Sequence, residues 1–148
     1  MPSKHSIDLY TAKELVKDFD RLEVIDWIQV KRENECLSFA TAVYLITALI
    51  PKGRVLGYGH IAGLIGSPRA ARQVGYALRS LKAELVDLNN PECIPWWRVI
   101  RSHGQVAINS GGHLPDQQAA LLLEEGIAVD NYKVSMQEYA WRPNQVSL

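Results

Sequence analysis

Apolar positions recur at spacings of three or four along most of the chain, so helices are expected to dominate. Over residues 1–35 the periodicity is intermittent, with Leu15, Phe19, Leu22, Ile25 and Trp27 set among many charges. It predicts short helices packed on a main body. Residues 36–50 are richer in apolar side chains, and Phe39, Val43, Ile46 and Ile50 mark one face of a core helix ended by Pro51 and Gly53. Residues 54–57 then read as a short extended or turn segment.

The next stretch carries two helical patterns separated by Gly66-Ser67-Pro68. The first, residues 58–65, places Ile61, Leu64 and Ile65 on one face. The second, residues 69–82, has Val74, Leu78 and Leu81 as its apolar stripe, with Ser67 as the expected cap and Pro68 at the first helical position. Two helices joined by a tight Gly-containing turn read as a helix-turn-helix. Arg69, Arg72, Gln73, Tyr76 and Arg79 belong to the second helix, most of them off its apolar stripe.

After the irregular connection around Asn89-Asn90-Pro91, two short β-prone runs flank Ser102-His103-Gly104 and predict a hairpin, which beside a helix-turn-helix is a wing. Residues 114–125 return to a helical pattern with Leu121 and Leu122 as core and Gly126 as the stop. Residues 127–148 read as a strand-like segment and an irregular tail. The expected fold class is α+β, mainly helical, divided into an N-terminal helical extension, 1–35, and a winged-helix domain, 36–148.

Composition adds little, since 47% hydrophobic and 22% charged residues are ordinary for a globular protein. Cys36 and Cys93 stand in no metal-like spacing, no apolar signal segment opens the chain, and the run near residues 39–50 falls short of a membrane span. A reduced, cytoplasmic protein without a metal or organic cofactor is expected.

Charge distribution changes the picture more. The formal net charge is zero, which by itself argues against a nucleic-acid partner. Yet no Asp or Glu lies between Glu35 and Glu84, an interval holding Lys52, Arg54, Arg69, Arg72, Arg79 and Lys82. A second acid-free stretch, from Cys93 to Pro115, holds Arg98 and Arg101. One surface of a neutral molecule is thereby predicted to be basic.

The sequence becomes specific at Ile94-Pro95-Trp96-Trp97-Arg98-Val99-Ile100, which resembles the Pro-Cys-His-Arg-Val motif of the O6-alkylguanine-DNA alkyltransferases, with tryptophan at both the cysteine and histidine positions. Upstream, Tyr58-Gly59-His60-Ile61-Ala62 and Gly66-Ser67-Pro68-Arg69-Ala70-Ala71-Arg72-Gln73-Val74-Gly75 resemble that family's helix-turn-helix. Downstream, Arg101-Ser102-His103-Gly104, Ser110-Gly111-Gly112 and Leu123-Glu124-Glu125-Gly126 occur in its order and nearly its spacing, so the likeness spans roughly residues 38–142. Tryptophan for cysteine marks the alkyltransferase-like subgroup, and Glu138-Tyr139-Ala140-Trp141-Arg142-Pro143 is similar to endings found there. This sequence departs from the subgroup at Trp97, which replaces the usual His, at Asn109, and in a longer loop before Pro95.

The resemblance implies a winged helix-turn-helix like the C-terminal DNA-binding domain of those alkyltransferases. It also implies a protein that flips O6-alkylguanine out of double-stranded DNA without repairing it and signals to nucleotide excision repair proteins. Such a protein would be nucleoid-associated when bound, or nuclear in a eukaryote. Direct dealkylation needs a thiolate and a neighbouring base; Trp96 has no nucleophilic atom, Trp97 relays no proton, and Glu125, which resembles the acid of the family's relay, is expected to lack its His partner. By motif match Arg72 is the finger that fills the vacated stack, and Tyr58 pushes the phosphate that must rotate. Trp96, Trp97, Val99 and Ser110 are expected to line the base pocket, and Arg69, Gln73 and Arg79 to face DNA. Arg98 is expected to cap the helix-turn-helix. Three alternatives stand beside this reading: a winged-helix regulator of undamaged DNA, an alkyl acceptor using Cys93 or Cys36, and an interaction module that has lost DNA binding. No dimerisation segment is visible, so a monomer is expected.

Overall fold

The computed structural model describes residues 6–106 and 115–143. Two helices open the chain, α1 (Leu9–Val16) and α2 (Arg21–Glu33), each capped by an aspartate that accepts a backbone amide three residues on. At α2 the Glu23 side chain also accepts the Asp20 amide, completing a capping box. Their buried faces differ from the expected one. Leu15, Phe19 and Leu22 are exposed, Trp27 is half-buried, and Ile25 alone of the five named positions is core. Ala12, Val16, Val24 and Ile28 fill the interior instead, because a small residue such as Ala12 lets α1 approach α3 closely where a bulky one would hold it off.

Helix α3 (Phe39–Leu49) begins at Ser38, whose hydroxyl accepts the Thr41 amide, and it buries Ala42, Val43, Leu45, Ile46 and Thr47. It is the central helix: α1, α2 and the two helices of the helix-turn-helix pack around it. Thr47 is tolerated at full burial because its hydroxyl donates to the Val43 carbonyl one turn back, at 2.7 Å.

The helix-turn-helix follows a short strand, β1 (Leu56–Gly57), and consists of α4 (Tyr58–Ile65) and α5 (Ala71–Arg79). Gly66 ends α4 in the left-handed region, φ 91°, which a side chain would disfavour. The start of α5 corrects the sequence reading. The Ser67 carbonyl accepts the Ala70 amide, so residues 67–70 form a turn and the helix begins at Ala71, leaving Ser67 and Pro68 outside it. Its end also comes early, at Arg79, and Leu81 lies in the break before α6 (Ala83–Val86).

One 3₁₀ turn, Trp96–Arg98, leads into β2 (Val99–Ile100), which pairs in parallel with β1, Leu56 opposite Val99. The turn expected at Ser102-His103-Gly104 is present: the Arg101 amide donates to the Gln105 carbonyl, and Gly104 adopts φ 101°. Its two flanks have different partners, however, β2 joining β1 while Gln105 bridges Lys133. Helix α7 (Pro115–Glu124) stops before Gly126 as expected, with Leu122 fully buried and Leu121 partly so. The chain then forms a hairpin, β3 (Val129–Asp130) and β4 (Lys133–Val134), and a short α8 (Met136–Tyr139). The Val55 amide donates to the Tyr139 carbonyl and the Trp141 amide to the Val55 carbonyl, tying this tail to the residue before β1.

The fold is thus mainly helical α+β, a winged helix-turn-helix on a helical core. Among the described residues no helix is long and apolar enough to cross a membrane.

Candidate nucleic-acid interface

Helices α4 and α5, the Trp96–Arg98 turn and the turn at residues 101–104 surround a cleft of about 610 Å³. Close approach of the 101–104 turn to the start of α4 depends on Gly57, where a Cβ would sit 2.7 Å from the Ser102 Cα. Tyr58, Arg72, Tyr76, Arg79, Trp96 and Arg101 line the cleft, and among the described residues no carboxylate does. Of the basic residues in the acid-free stretches, Arg72, Arg79 and Arg101 converge on this concavity, whereas Lys52, Arg54, Arg69, Lys82 and Arg98 do not line it. Burial pushes the Tyr58 phenol above its ordinary value, while the charges of Arg101 and Arg79 work against that shift.

Four of the expected site residues, Tyr58, Arg72, Arg79 and Trp96, are brought together here. Arg69 and Gln73 are exposed but lie off the cleft, Arg69 in the turn before α5 and Gln73 on the side of the helix next to Arg72. Trp97 turns inward into the core, and its ring meets that of Trp96 edge-on, 6.1 Å between centroids. Val99 is fully buried in the core and does not line the cleft, which corrects its expected role; as a β2 residue it faces the interior. Ser110 and Asn109 lie outside the described residues.

Sequence reasoning missed several lining groups. Arg101, Ser102 and His103 come from the turn, and the acid-free stretch had already pointed to Arg101. Tyr76, one turn after Arg72 on the same helix face, was signalled by its spacing. Gln118 had no signal, since a glutamine early in a helix reads as surface. It is buried, and its amide nitrogen donates to the carbonyls of Trp97 and Val99 at 3.1 and 2.8 Å, holding the motif strand against α7.

Beneath the cleft lies a charged knot. Arg98 grips Glu125 with two nitrogens, the shortest contact 2.7 Å, and the Gly53 amide and the Trp97 indole N–H also donate to that carboxylate. Glu125 thus lacks a histidine partner, as the sequence implies, yet its carboxylate is still satisfied at that position by the Trp97 indole N–H. Burial pushes the Glu125 carboxyl up, but the bonds from Arg98, Gly53 and Trp97 with the Arg98 charge outweigh it and hold it below the usual range. Arg98 also donates to the Ile50 carbonyl at 2.9 Å. It caps the C-terminal end of α3, not the helix-turn-helix.

Chemically, the cleft offers an indole wall, a phenol and three guanidinium groups. An indole carries no nucleophile and an N–H that only donates. Cys36 and Cys93 are half-buried free thiols outside the cleft lining, and burial, helped by Asp87, pushes the Cys93 thiol up, away from thiolate. The arrangement suits holding a flat, partly apolar group next to phosphates. Among the described residues no cluster of three His, Cys, Asp or Glu could hold a metal ion.

The model of the 6-O-methylguanine DNA methyltransferase DNA-binding domain matches residues 38–127. The chain is similar to a DNA base-flipping protein of Escherichia coli, 41% identical over 106 residues that cover 70% of this chain and 74% of the relative. It is also similar to alkyltransferase-like protein 1 of Schizosaccharomyces pombe, 36% identical over 110 residues, 71% of this chain and 95% of that protein. Among solved structures, S. pombe Atl1 in complex with damaged DNA containing O6-carboxymethylguanine superposes with a TM-score of 0.62 at 35% identity, covering 71% of this chain and 95% of the other.

Proposed function

Because the chain belongs to the family of the 6-O-methylguanine DNA methyltransferase DNA-binding domain, we propose that it binds duplex DNA carrying O6-alkylated guanine, extrudes the altered base into the cleft, and leaves it unrepaired. The observation that carries this reading is Trp96: a buried indole walls the cleft at the place where the resemblance puts the alkyl-accepting cysteine. An S. pombe relative solved with DNA containing O6-carboxymethylguanine supports the choice of ligand.

Each lining group has a task. Arg72, exposed on α5, enters the stack and hydrogen-bonds the base left without a partner. Tyr58, held at the start of α4, presses on the phosphate that rotates with the flipped nucleotide. Extrusion costs a few kcal/mol, least where alkylation has already weakened pairing. Packing of the base and its alkyl group on Trp96 returns about 1–3 kcal/mol. Arg79 and Arg101 neutralise flanking phosphates, so affinity falls with salt.

Residues 36–148 act in this reading as the DNA-binding domain, with residues 1–35 a helical extension whose buried face packs on its core. The bound complex then marks the lesion for nucleotide excision repair in the cytoplasm and nucleoid, or in a eukaryotic nucleus. The test is intact-mass measurement after incubation with O6-methylguanine duplex, paired with a binding titration. Binding with unchanged protein mass is expected; a mass gain of one methyl group overturns the claim that the lesion is left unrepaired.

A further inference from the structure

Tyr76 is a large aromatic side chain left 51% exposed on α5, and of the exposed large apolar side chains among the described residues it is the one that lines the cleft. It follows Arg72 by four residues, so the two share a helix face and stand about 6 Å apart along the axis at 1.5 Å per residue. The Arg79 guanidinium sits over one face of the Tyr76 ring, 4.6 Å from its centroid. That contact braces the ring, and about half of the residue's surface stays open to a ligand. An aromatic ring held out from a helix gains little for folding, because most of its area stays in water.

We infer that Tyr76 is a second part of the wedge: while Arg72 fills the position vacated by the flipped base, the Tyr76 ring stacks on the neighbouring base and keeps it from following the lesion out of the duplex. The inference rests on the proposed function. Its chemistry is that of a π-face against a base, which tolerates any neighbouring sequence, and not that of a charge against a phosphate. Arg79 then serves two ends, bracing the ring from one side and meeting the backbone with its remaining donors. A phosphate contact through the hydroxyl is the competing role for Tyr76, and ring and hydroxyl are separable by substitution.

The experiment uses the full chain and a duplex with one O6-methylguanine and 2-aminopurine as its 3′ neighbour, with an unmodified duplex in parallel. Wild type, Tyr76→Phe and Tyr76→Ala are compared for affinity, for the salt dependence of affinity, and for 2-aminopurine fluorescence at saturation, after thermal melts show all three folded. Tyr76→Phe is expected to bind like wild type, and Tyr76→Ala roughly tenfold or more weakly with an unchanged salt slope. The 2-aminopurine should be brighter when bound by Tyr76→Ala than by wild type, since an unsupported base loses its quenching neighbour. Equal losses for Phe and Ala, or a shallower salt slope, assign a phosphate contact and overturn the inference. A wild type that prefers the lesion, together with a Tyr76→Ala of wild-type affinity and fluorescence, overturns the wedge while leaving the proposed function standing. A wild type that binds both duplexes alike overturns both.

Discussion

Trp97 donates its indole N–H to Glu125 at 2.8 Å, while its neighbour Trp96 walls the cleft. Two adjacent tryptophans have opposite tasks because a 3₁₀ turn sends consecutive side chains about 120° apart. Trp97 is part of the scaffold, and its hydrogen bond satisfies a carboxylate whose side chain is 7% exposed.

Trp97→Phe keeps a ring in the core but removes one donor from that carboxylate. A loss of about 1–3 kcal/mol in folding stability is expected, read from urea unfolding. Lesion affinity should fall far less, because Trp97 does not line the cleft. An unchanged stability would show that the indole N–H is dispensable.

Acid should weaken the same knot. The Glu125 carboxyl is held below the usual range in the folded protein. Its contribution is therefore present above the unfolded value, near 4.3, and is lost as pH falls through the lower folded value. Wild type should exceed Glu125→Gln in stability most at neutral pH, with the gap closing below about pH 4. Denaturant midpoints of both proteins from pH 7 to pH 3 check this, and a gap that does not change with pH would contradict it.

Much of the fold was legible in the sequence, for identifiable reasons. Gly66 stops α4 because the chain must turn left-handed there, and the 3.6-residue period marked α3, α4, α5 and α7. The start of α5 was misread because Ser67-Pro68 serves a turn as readily as a helix cap. The terminal hairpin was missed because Asn131 and Tyr132 both take positive φ, and tyrosine is an uncommon choice for that conformation. Of the site, Arg72, Tyr58 and Trp96 followed from motif order and Arg79 from the helical pattern and the acid-free stretch, whereas Gln118 and the partner of Glu125 depend on tertiary contacts that no local pattern encodes.

Trp96→Cys alone should be a poor alkyltransferase. Its thiol would stand beside Trp97, which donates a hydrogen bond but accepts no proton, so little thiolate would form near neutral pH. The double variant Trp96→Cys with Trp97→His places a base between thiol and Glu125 and should transfer labelled methyl from O6-methylguanine DNA faster. Fast transfer by the single variant would show that no relay is needed.

Arg72→Ala should weaken lesion binding more than Lys82→Ala. Arg72 lines the cleft and is proposed to enter the stack, whereas Lys82 is exposed beyond the end of α5 and off the cleft. Equilibrium titration of both folded variants decides it; equal losses would reduce Arg72 to one phosphate contact among several.

Lesion preference is tested most directly by titrating wild-type protein against two duplexes identical except for a single O6-methylguanine, across a range of salt. Both affinities should fall as salt rises, because phosphate contacts release counterions, while the modified duplex stays the tighter ligand throughout. The cleft beside Trp96 predicts that difference, since the base and its alkyl group find an apolar wall that an unflipped guanine never reaches. Equal affinity for the two duplexes at every salt concentration would contradict it.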